Sequence, residues 1–235
     1  MMGRVCLWIV FCVSISEFVS GQIPGEETSN CTEQIRWIHD KVTSLWSALL
    51  HPSWTQPGRL VHAVCNVKPD PFLSAQQRSD ITGRISLSQE QGGGLSLSFS
   101  LSGFAPGGAA HGIHIHELGD LGGGCNTLGG HFNPHSTRHG SHIGDLGNFR
   151  PDSEGKILQR LSDLHLVLLG PESVLGRSIV IHEHEDDLGL SQDAGSHVHG
   201  NAGRRLACCV IGIAAAPRVS EGGEQTHTHP THHQH

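Results

Sequence analysis

Apolar and polar residues alternate strictly over residues 95–104. Leu95, Leu97, Phe99 and Leu101 would lie on one side of an extended segment, with serines on the other. This period of two predicts a half-buried antiparallel strand. Other strand-like segments, separated by glycine-rich turns, cover 62–69, 81–89, 157–169, 178–184 and 204–215. Because no long helical pattern interrupts 60–215, the sequence predicts an all-β sandwich or barrel.

A helical period precedes these strands. Ile35, Ile38, Val42, Leu45 and Leu49 recur at alternating steps of three and four, which predicts an amphipathic helix at about 34–50. The stripe covers only about two heptads, too few for a helix to be stable alone. The helix therefore either packs on its own domain or joins copies of the chain. We predict assembly into a homo-oligomer, a dimer or tetramer.

The chain begins like an exported protein. Arg4 precedes a short apolar run at 5–13, and small residues at 19–21 offer a cleavage site, which predicts a signal peptide over 1–21 rather than a buried N-terminal strand. The run is too short to span a bilayer, and no other segment is apolar enough, so we expect no membrane span and a secreted, extracellular protein. In an exported chain, Asn30 lies in a glycosylation sequon.

The remaining chain divides by composition. We predict an N-terminal extension over 22–59 that ends in a proline-containing linker, a β domain over 60–217, and a flexible histidine-rich tail over 218–235.

Composition limits the function classes. The net charge of −7 argues against nucleic acid as a partner, and the 20 histidines point to metal binding. Two of the seven cysteines lie in the signal, and the odd number that remains predicts disulfides with one thiol left over.

Histidines occur in a pattern that suits metal ligation. His114 and His116 lie two residues apart on a predicted strand, so they share one face while Ile113 and Ile115 face the core. Further donors follow in the two long segments at 117–150 and 183–204 and at the end of the strand-like segment before the second: His131, His135, His139, His142, Asp145, His182, His184, Asp186 and Asp187. These are too many for one tetrahedral ion. Two neighbouring metals would account for them, copper with imidazoles and zinc with a set that includes a carboxylate.

Several motifs together resemble one family. In order along the chain they are "HGIHIHELGD", "GGCNTLGGHFNP", "HIGDLGN", "GRSIVIHEHEDDLG" and "GNAGRRLACCVIGIA". Over about residues 60–216 the chain resembles copper/zinc superoxide dismutase. The secretory start, the N-terminal helix and the doublet Cys208-Cys209 resemble the extracellular branch of that family.

The resemblance implies a fold, a reaction and a set of site residues. The fold would be an eight-stranded antiparallel Greek-key β-barrel or sandwich with two long functional loops, plus the short N-terminal helix. The reaction would convert superoxide to dioxygen and hydrogen peroxide.

Copper would be held by His114, His116, His131 and His182, and zinc by His131, His139, His142 and Asp145. Asp186 would link ligands of both metals, and Arg205 would guide the anion beside the shared, catalytic His131. The disulfides would be Cys125–Cys208 and Cys65–Cys209, which leaves Cys31 without an assigned partner.

Other histidines have no ligand role in that comparison. We expect His135 and His184 to be exposed, His111 to anchor local structure, and His197 and His199 to border the substrate channel. The tail has no lysine and, after Arg218, no arginine, so we expect only weak glycosaminoglycan binding at neutral pH.

Two other functions use part of the pattern. A zinc hydratase can combine a His-x-His strand with a third histidine to activate water, but it leaves His139, His142, Asp145 and His182 without a purpose. A secreted metal-binding protein without turnover would keep the fold, although it would have no need for Arg205.

Overall fold

The computed structural model describes residues 27–50, 60–90 and 93–217. The predicted signal peptide, the linker at 51–59 and the tail at 218–235 lie outside the described residues. The elements are helix α1 (Glu27–Leu50), strands β1 (Leu60–Pro69), β2 (Thr82–Glu90), β3 (Leu95–Ser102), β4 (His111–His116), β5 (Asp145–Phe149), β6 (Lys156–Leu164) and β7 (Ser178–His182), helix α2 (Ala194–His199), and strands β8 (Arg205–Val210) and β9 (Gly212–Ala214).

The strands form one antiparallel sheet that curls into a nearly closed barrel. Their order is β5-β4-β7-β8-β1-β2-β3-β6, with β9 paired to β1. Only Ile211 separates β8 from β9, so the two act as one bent strand and the barrel has eight. Neighbours such as β3 and β6 are far apart in sequence, as a Greek-key connection requires. The predicted all-β fold is confirmed.

The core follows the alternation seen in the sequence. Leu95, Leu97, Phe99 and Leu101 of β3 are buried, while the serines between them lie at the surface. The rings of Phe99 and Phe149 meet at a centroid distance of 4.6 Å and so pack β3 against β5 across the barrel. Burying one such side chain is worth about 1.5–3 kcal/mol. Packing of this kind fixes the strands that carry the site.

Three local features differ from the sequence prediction. Strand β5 lies inside the segment predicted as one long loop. The sequence did not indicate this strand because DLGNF is short and has no clear alternation. Helix α2 occupies six residues of the second loop, too few to show a helical period. Helix α1 begins at Glu27, earlier than expected, since its first residues are polar and add nothing to the apolar stripe.

The apolar stripe of α1 faces solvent. Ile35, Ile38, Val42 and Leu45 are 46, 44, 49 and 64 % exposed. This exposure argues against the alternative that the helix buries its stripe on its own domain. Within the described residues, no helix has the length and hydropathy needed to cross a membrane.

Two long loops leave neighbouring strands and cover one outer face of the barrel. The first loop, residues 117–144, joins β4 to β5, and the second loop, residues 183–204, joins β7 to β8. Strand β7 pairs with both β4 and β8, so the loops meet over the same surface. A small apolar cluster, outside the main core, lies there: Cys125, Leu128, Val180 and Cys208.

Candidate metal centre

Three predicted ligands project from two paired strands. His114 and His116 lie on β4, and His182 is the last residue of β7. Ile113 and Ile115 are fully buried in the barrel core, so the alternation of a strand directs the imidazoles away from that core. His114 and His116 are nevertheless 0 % exposed.

The first loop covers these imidazoles because it is hydrogen-bonded to β4 at several points. His131 forms an isolated β-bridge with His116, and the next residue, Phe132, donates its backbone N–H to the Ile115 carbonyl at 2.7 Å. Asp145 then opens β5 opposite His114. The loop residues are thereby carried back over the strand residues.

All the predicted ligands converge in two groups that share one member. The four-histidine set consists of His114, His116, His131 and His182, and the three-histidine–aspartate set consists of His131, His139, His142 and Asp145. Within each set, one nitrogen or oxygen of every residue lies within 4.8 Å of those of the others. His131 belongs to both sets, so the two candidate sites are adjacent.

In the second set, the Asp145 carboxylate lies close to all three imidazoles. Asp145 Oδ1 lies 3.1 Å from His131 Nδ1 and 3.2 Å from His142 Nδ1, and Asp145 Oδ2 lies 3.4 Å from His139 Nδ1. Bonds of about 2.0–2.1 Å around a tetrahedral zinc put neighbouring ligand atoms about 3.3 Å apart. The carboxylate is oriented independently, since its Oδ2 also accepts hydrogen bonds from the backbone of Gly140 and His142 at 2.8 and 3.1 Å.

Several ring nitrogens are buried without a hydrogen-bond partner. They are Nδ1 of His114, His139 and His142, and Nε2 of His131. Leaving one buried polar atom unpartnered costs about 1–3 kcal/mol, so four such atoms in one place are unfavourable unless something binds them. A metal ion in each set would satisfy all four.

The Nε2 atoms of His116 and His182 face each other. His116 Nδ1 lies 3.1 Å from the Gly129 carbonyl, and His182 Nδ1 lies 3.2 Å from the Gly203 carbonyl. Because a carbonyl only accepts, each Nδ1 carries the proton, and both Nε2 atoms present lone pairs. These Nε2 atoms are only 3.3 Å apart. Two lone pairs at this distance repel unless a cation binds both.

Asp186 connects the two sets, as the resemblance implied. Its Oδ2 lies 2.7 Å from His114 Nε2 and its Oδ1 lies 2.7 Å from His139 Nε2. Burial alone would raise the pKa of Asp186, but the hydrogen bonds from His114 and His139 outweigh burial and hold this pKa well below its ordinary value. The carboxylate is thus ionised and fixes one ligand of each set with its unpartnered Nδ1 facing inward.

Burial keeps the imidazoles of His116, His131 and His182 neutral. It lowers the pKa of His116 to about 2, with the charge of Arg205 adding to the effect. It lowers the pKa of His182 to about 3, and that of His131 to about 4 against the opposing hydrogen bond to Asp145. Neutral imidazole is the form that binds metal, so these three ligands are ready for ligation at pH 7.

A solvent cleft of about 690 Å³ leads to the four-histidine set. Arg205 lines the cleft, and its guanidinium donates to the carbonyls of Cys125 at 2.8 Å and Gly129 at 2.6 Å. His197 and His199 of α2 also line the cleft, where they were expected. The only positive side chain among the cleft residues is therefore held in place by two backbone acceptors.

Two disulfides brace the site and the barrel. Cys125 of the first loop is bonded to Cys208 of β8, which ties the loop to the strand that begins with Arg205. Cys65 of β1 is bonded to Cys209, the next residue of β8. Both pairs match those implied by the resemblance.

Among the residues that the structure describes, the remaining histidines lie outside both sets. The side chains of His135 and His184 are 58 and 62 % exposed. His111 Nδ1 lies 2.8 Å from the His182 carbonyl, a local anchoring contact. Sequence reasoning missed Asn148, whose side chain pairs with both the backbone N–H and the carbonyl of Asp186 at 2.8 and 2.7 Å. An asparagine on a short strand gives no signal for such a contact.

The fold and the site define an all-β metalloprotein with two adjoining sites that share a histidine. Residues 81–211 match the family model for copper/zinc superoxide dismutase. The chain is similar to the extracellular copper-zinc superoxide dismutase of Oryctolagus cuniculus, with 39 % identity over 95 % of this chain and 93 % of the relative. The corresponding human protein is 37 % identical over 91 % of this chain and 88 % of its own, and that of Caenorhabditis elegans is 47 % identical over 57 % and 62 %.

The chain belongs to the copper/zinc superoxide dismutase family. It is therefore an oxidoreductase of the superoxide dismutase class, with copper and zinc as cofactors. The predicted extracellular location is confirmed, since the relatives that match most of the chain are named extracellular. The comparisons give no support to a zinc hydratase or to a metal-binding protein without turnover.

Proposed function

We propose that the four-histidine set binds copper and the three-histidine–aspartate set binds zinc, with His131 a ligand of both. Four imidazoles suit copper, and three imidazoles with a carboxylate suit zinc. The observation that carries the proposal is the group of buried ring nitrogens without partners, together with the two Nε2 atoms that face each other.

The activity is the disproportionation of superoxide. One superoxide is oxidised to dioxygen, and a second accepts that electron together with two protons to become hydrogen peroxide. Bound copper supplies reversible one-electron transfer, and bound zinc, which has one oxidation state, supplies structure and charge. The protein residues must therefore attract an anion, hold it at the cleft and supply a proton.

Arg205 is the residue that we assign to the anion. The whole chain carries a formal charge of −7, which repels superoxide on average. A single cation fixed in the cleft by the carbonyls of Cys125 and Gly129 provides local attraction at the place where it is needed. Its guanidinium stays protonated at neutral pH despite partial burial.

His131 is the residue that we assign to the proton. Its Nδ1 contacts Asp145, so that side of the ring belongs to the zinc set. Its Nε2 is buried and unpartnered, beside the strand histidines that bound substrate would reach through the cleft. Nε2 can hold a proton only while it is not bound to copper, and a proton held there would lie close to the reacting anion.

The rest of the chain serves secretion and assembly in this proposal. Residues 1–21 direct export, Asn30 carries a glycan, and the linker at 51–59 separates the extension from the β domain at 60–217. The exposed stripe of α1 joins copies of the chain into a dimer or tetramer. The histidine-rich tail at 218–235 binds glycosaminoglycans only weakly at neutral pH.

Substitution His182→Ala tests the copper assignment. The variant loses one of four imidazoles from the copper set and none from the zinc set, so we expect copper content and dismutase activity to fall while zinc content and circular dichroism stay unchanged. Metal content by mass spectrometry and a superoxide assay measure these quantities. His184→Ala is the matched control, because His184 is exposed and lies outside both sets. Full turnover and full copper in His182→Ala would refute the assignment.

A further inference from the structure

The residues just before His131 have no side chains that could anchor this part of the first loop. Gly129 and Gly130 precede His131, and Gly129 has a positive φ of 75° that few other residues adopt. Glycines offer no side chain to pack, so the imidazole must be held by contacts from elsewhere. Asp145 contacts the ring directly, and the backbone of His131 and Phe132 pairs with β4. Further contacts come from Glu117 and Arg177, neither of which belongs to a ligand set.

Glu117 holds the backbone just before His131. The Gly130 N–H donates to Glu117 Oε1 at 3.1 Å, and the Glu117 N–H donates to the Gly130 carbonyl at 3.0 Å. Glu117 directly follows His116, and Gly130 directly precedes His131. This pair of hydrogen bonds therefore sets the spacing between the segments that carry these two ligands.

Arg177 holds the residue just after His131. Its guanidinium carbon lies over the Phe132 ring, 3.8 Å from the ring centroid, in a cation–π contact, and Phe132 is 3 % exposed. The same guanidinium donates from Nη1 to the Glu117 carbonyl at 2.8 Å and from Nε to the Ser173 carbonyl at 2.9 Å. One rigid group therefore contacts the residue that follows His116 and the residue that follows His131.

Arg177 is itself firmly placed. It immediately precedes β7, its N–H donates to the Val174 carbonyl at 3.1 Å, and its carbonyl accepts from Ile211 at 2.9 Å. A planar guanidinium with five fixed donors can stack on a ring and hydrogen-bond at its edge at once, which a lysine ammonium cannot do. Its geometry is thus suited to fixing two segments relative to each other.

We propose that Arg177 is a positioning residue for the shared imidazole: through Phe132 and the Glu117 carbonyl it fixes His131 relative to His116, so that His131 can bind both metals. This inference rests on the proposed copper and zinc assignments. It concerns alignment of the ligand and assigns Arg177 no contact with substrate or metal.

Copper affinity and magnetic coupling test the proposal. Removing a residue that orients a ligand commonly weakens metal affinity about tenfold or more, and we expect that loss for copper in Arg177→Ala by chelator competition. With Cu(II) loaded into both sites, an imidazolate bound through both ring nitrogens couples the two unpaired electrons and suppresses their paramagnetic resonance signal. We expect the wild-type protein to show this coupling, Arg177→Ala to lose part of it, and Arg177→Lys to recover the affinity only in part.

Arg150→Ala is the matched control. Arg150 also donates to a backbone carbonyl, that of Gly108 at 2.9 Å, but it lies outside the site and is exposed. Its copper affinity and resonance signal should equal those of the wild type. If Arg177→Ala behaves as Arg150→Ala does in both measurements, the positioning role is wrong.

A double-mutant cycle separates positioning from a general loss of stability. Phe132→Leu keeps an apolar side chain but removes the ring on which Arg177 stacks, so Arg177→Ala should lower copper affinity less in that background than in the wild type. Equal effects in both backgrounds would contradict action through Phe132. A wild-type protein that shows no coupling between two bound Cu(II) ions would instead refute the shared-ligand assignment on which the inference rests.

Discussion

At the scale of single residues, backbone carbonyls do much of the work of orienting the ligands. The Gly129 carbonyl accepts from both His116 Nδ1 and Arg205 Nη2, and the Gly203 carbonyl accepts from His182 Nδ1. One peptide oxygen therefore fixes the tautomer of His116, a proposed copper ligand, and the position of Arg205, to which we assign the attraction of substrate. Because the acceptor is shared, the position of the Arg205 guanidinium and the orientation of the His116 ring depend on each other.

Substitution of Arg205 tests the electrostatic role. We expect Arg205→Ala to lower kcat/KM at low ionic strength by about tenfold, because a fixed charge at the mouth of a site acts mainly on the rate of association. Its rate should also depend less on salt, since the attraction that salt screens has been removed. Superoxide decay followed at several ionic strengths measures both effects.

Arg204→Ala provides the comparison for that experiment. The Arg204 guanidinium is exposed and paired with the Glu183 carboxylate, so its charge is already neutralised locally. We expect a clearly smaller change in rate and salt dependence. Equal rates for wild type and Arg205→Ala at low and high salt would remove Arg205 from the mechanism.

The sequence predicted the ligands better than the groups that orient them. Alternation on a strand placed His114 and His116 on one face, and resemblance to a family supplied the residues of the loops. Asn148, Glu117 and Arg177 went unnoticed because they act on backbone atoms of distant segments. A carbonyl or amide group is present at nearly every position, so contacts to it leave no pattern in the side chains.

At the scale of secondary-structure elements, predictability followed the strength of the apolar period. The alternation of β3 and the heptad stripe of α1 were visible because many residues repeat them. Strand β5 is positioned instead by pairing with β4, a tertiary contact that its five residues alone do not predict. The same pairing brings Asp145 opposite His114, so the element that was hardest to predict completes the metal centre.

The stripe of α1 gives a prediction about assembly. Ile38 and Val42 are 44 and 49 % exposed, and an exposed a/d stripe is stabilised when copies pack together. We expect Ile38→Lys combined with Val42→Lys to lower the molecular mass measured by sedimentation, while dismutase activity per chain stays unchanged. Arg36→Lys, off the stripe, is the control. An unchanged mass for the double variant would place the assembly surface elsewhere.

At the scale of the whole molecule, the barrel and the metal centre are linked by covalent bonds. Cys65–Cys209 joins residues 144 positions apart and Cys125–Cys208 joins residues 83 positions apart. Loop-closure entropy assigns each bond roughly 4–5 kcal/mol of stabilisation, in a model that neglects native strain. Because both bonds end on adjacent residues of β8, this strand anchors the first loop and the first strand of the barrel together.

The metal-free protein should lose stability in mild acid. The pKa values of His116, His131 and His182 are lowered by burial to about 2, 4 and 3, so below about pH 6.5 the unfolded chain binds protons that the folded chain does not. Burial acts on His139 in the same direction, but its hydrogen bond to Asp186 outweighs burial and raises its pKa, an effect of opposite sign. A net difference of about two protons lowers the free energy of unfolding by at most about 3 kcal/mol per pH unit.

Denaturant titrations between pH 7.5 and 4.5, with and without metals, measure this dependence. We expect metal-loaded protein to keep its stability to lower pH, since bound metals occupy the nitrogens that protons would otherwise take. A metal-free free energy of unfolding that stays constant across this range would contradict the neutral, buried state of these histidines.

In the function that we propose, copper and zinc lie side by side with His131 between them. X-ray diffraction from crystals of the metal-loaded protein, recorded on both sides of the copper and zinc absorption edges, locates each element directly. We expect copper within bonding distance of His114, His116, His131 and His182, and zinc bound by His131, His139, His142 and Asp145. A single zinc ion with no copper, or a His131 ring that contacts only one metal in both oxidation states, would contradict it.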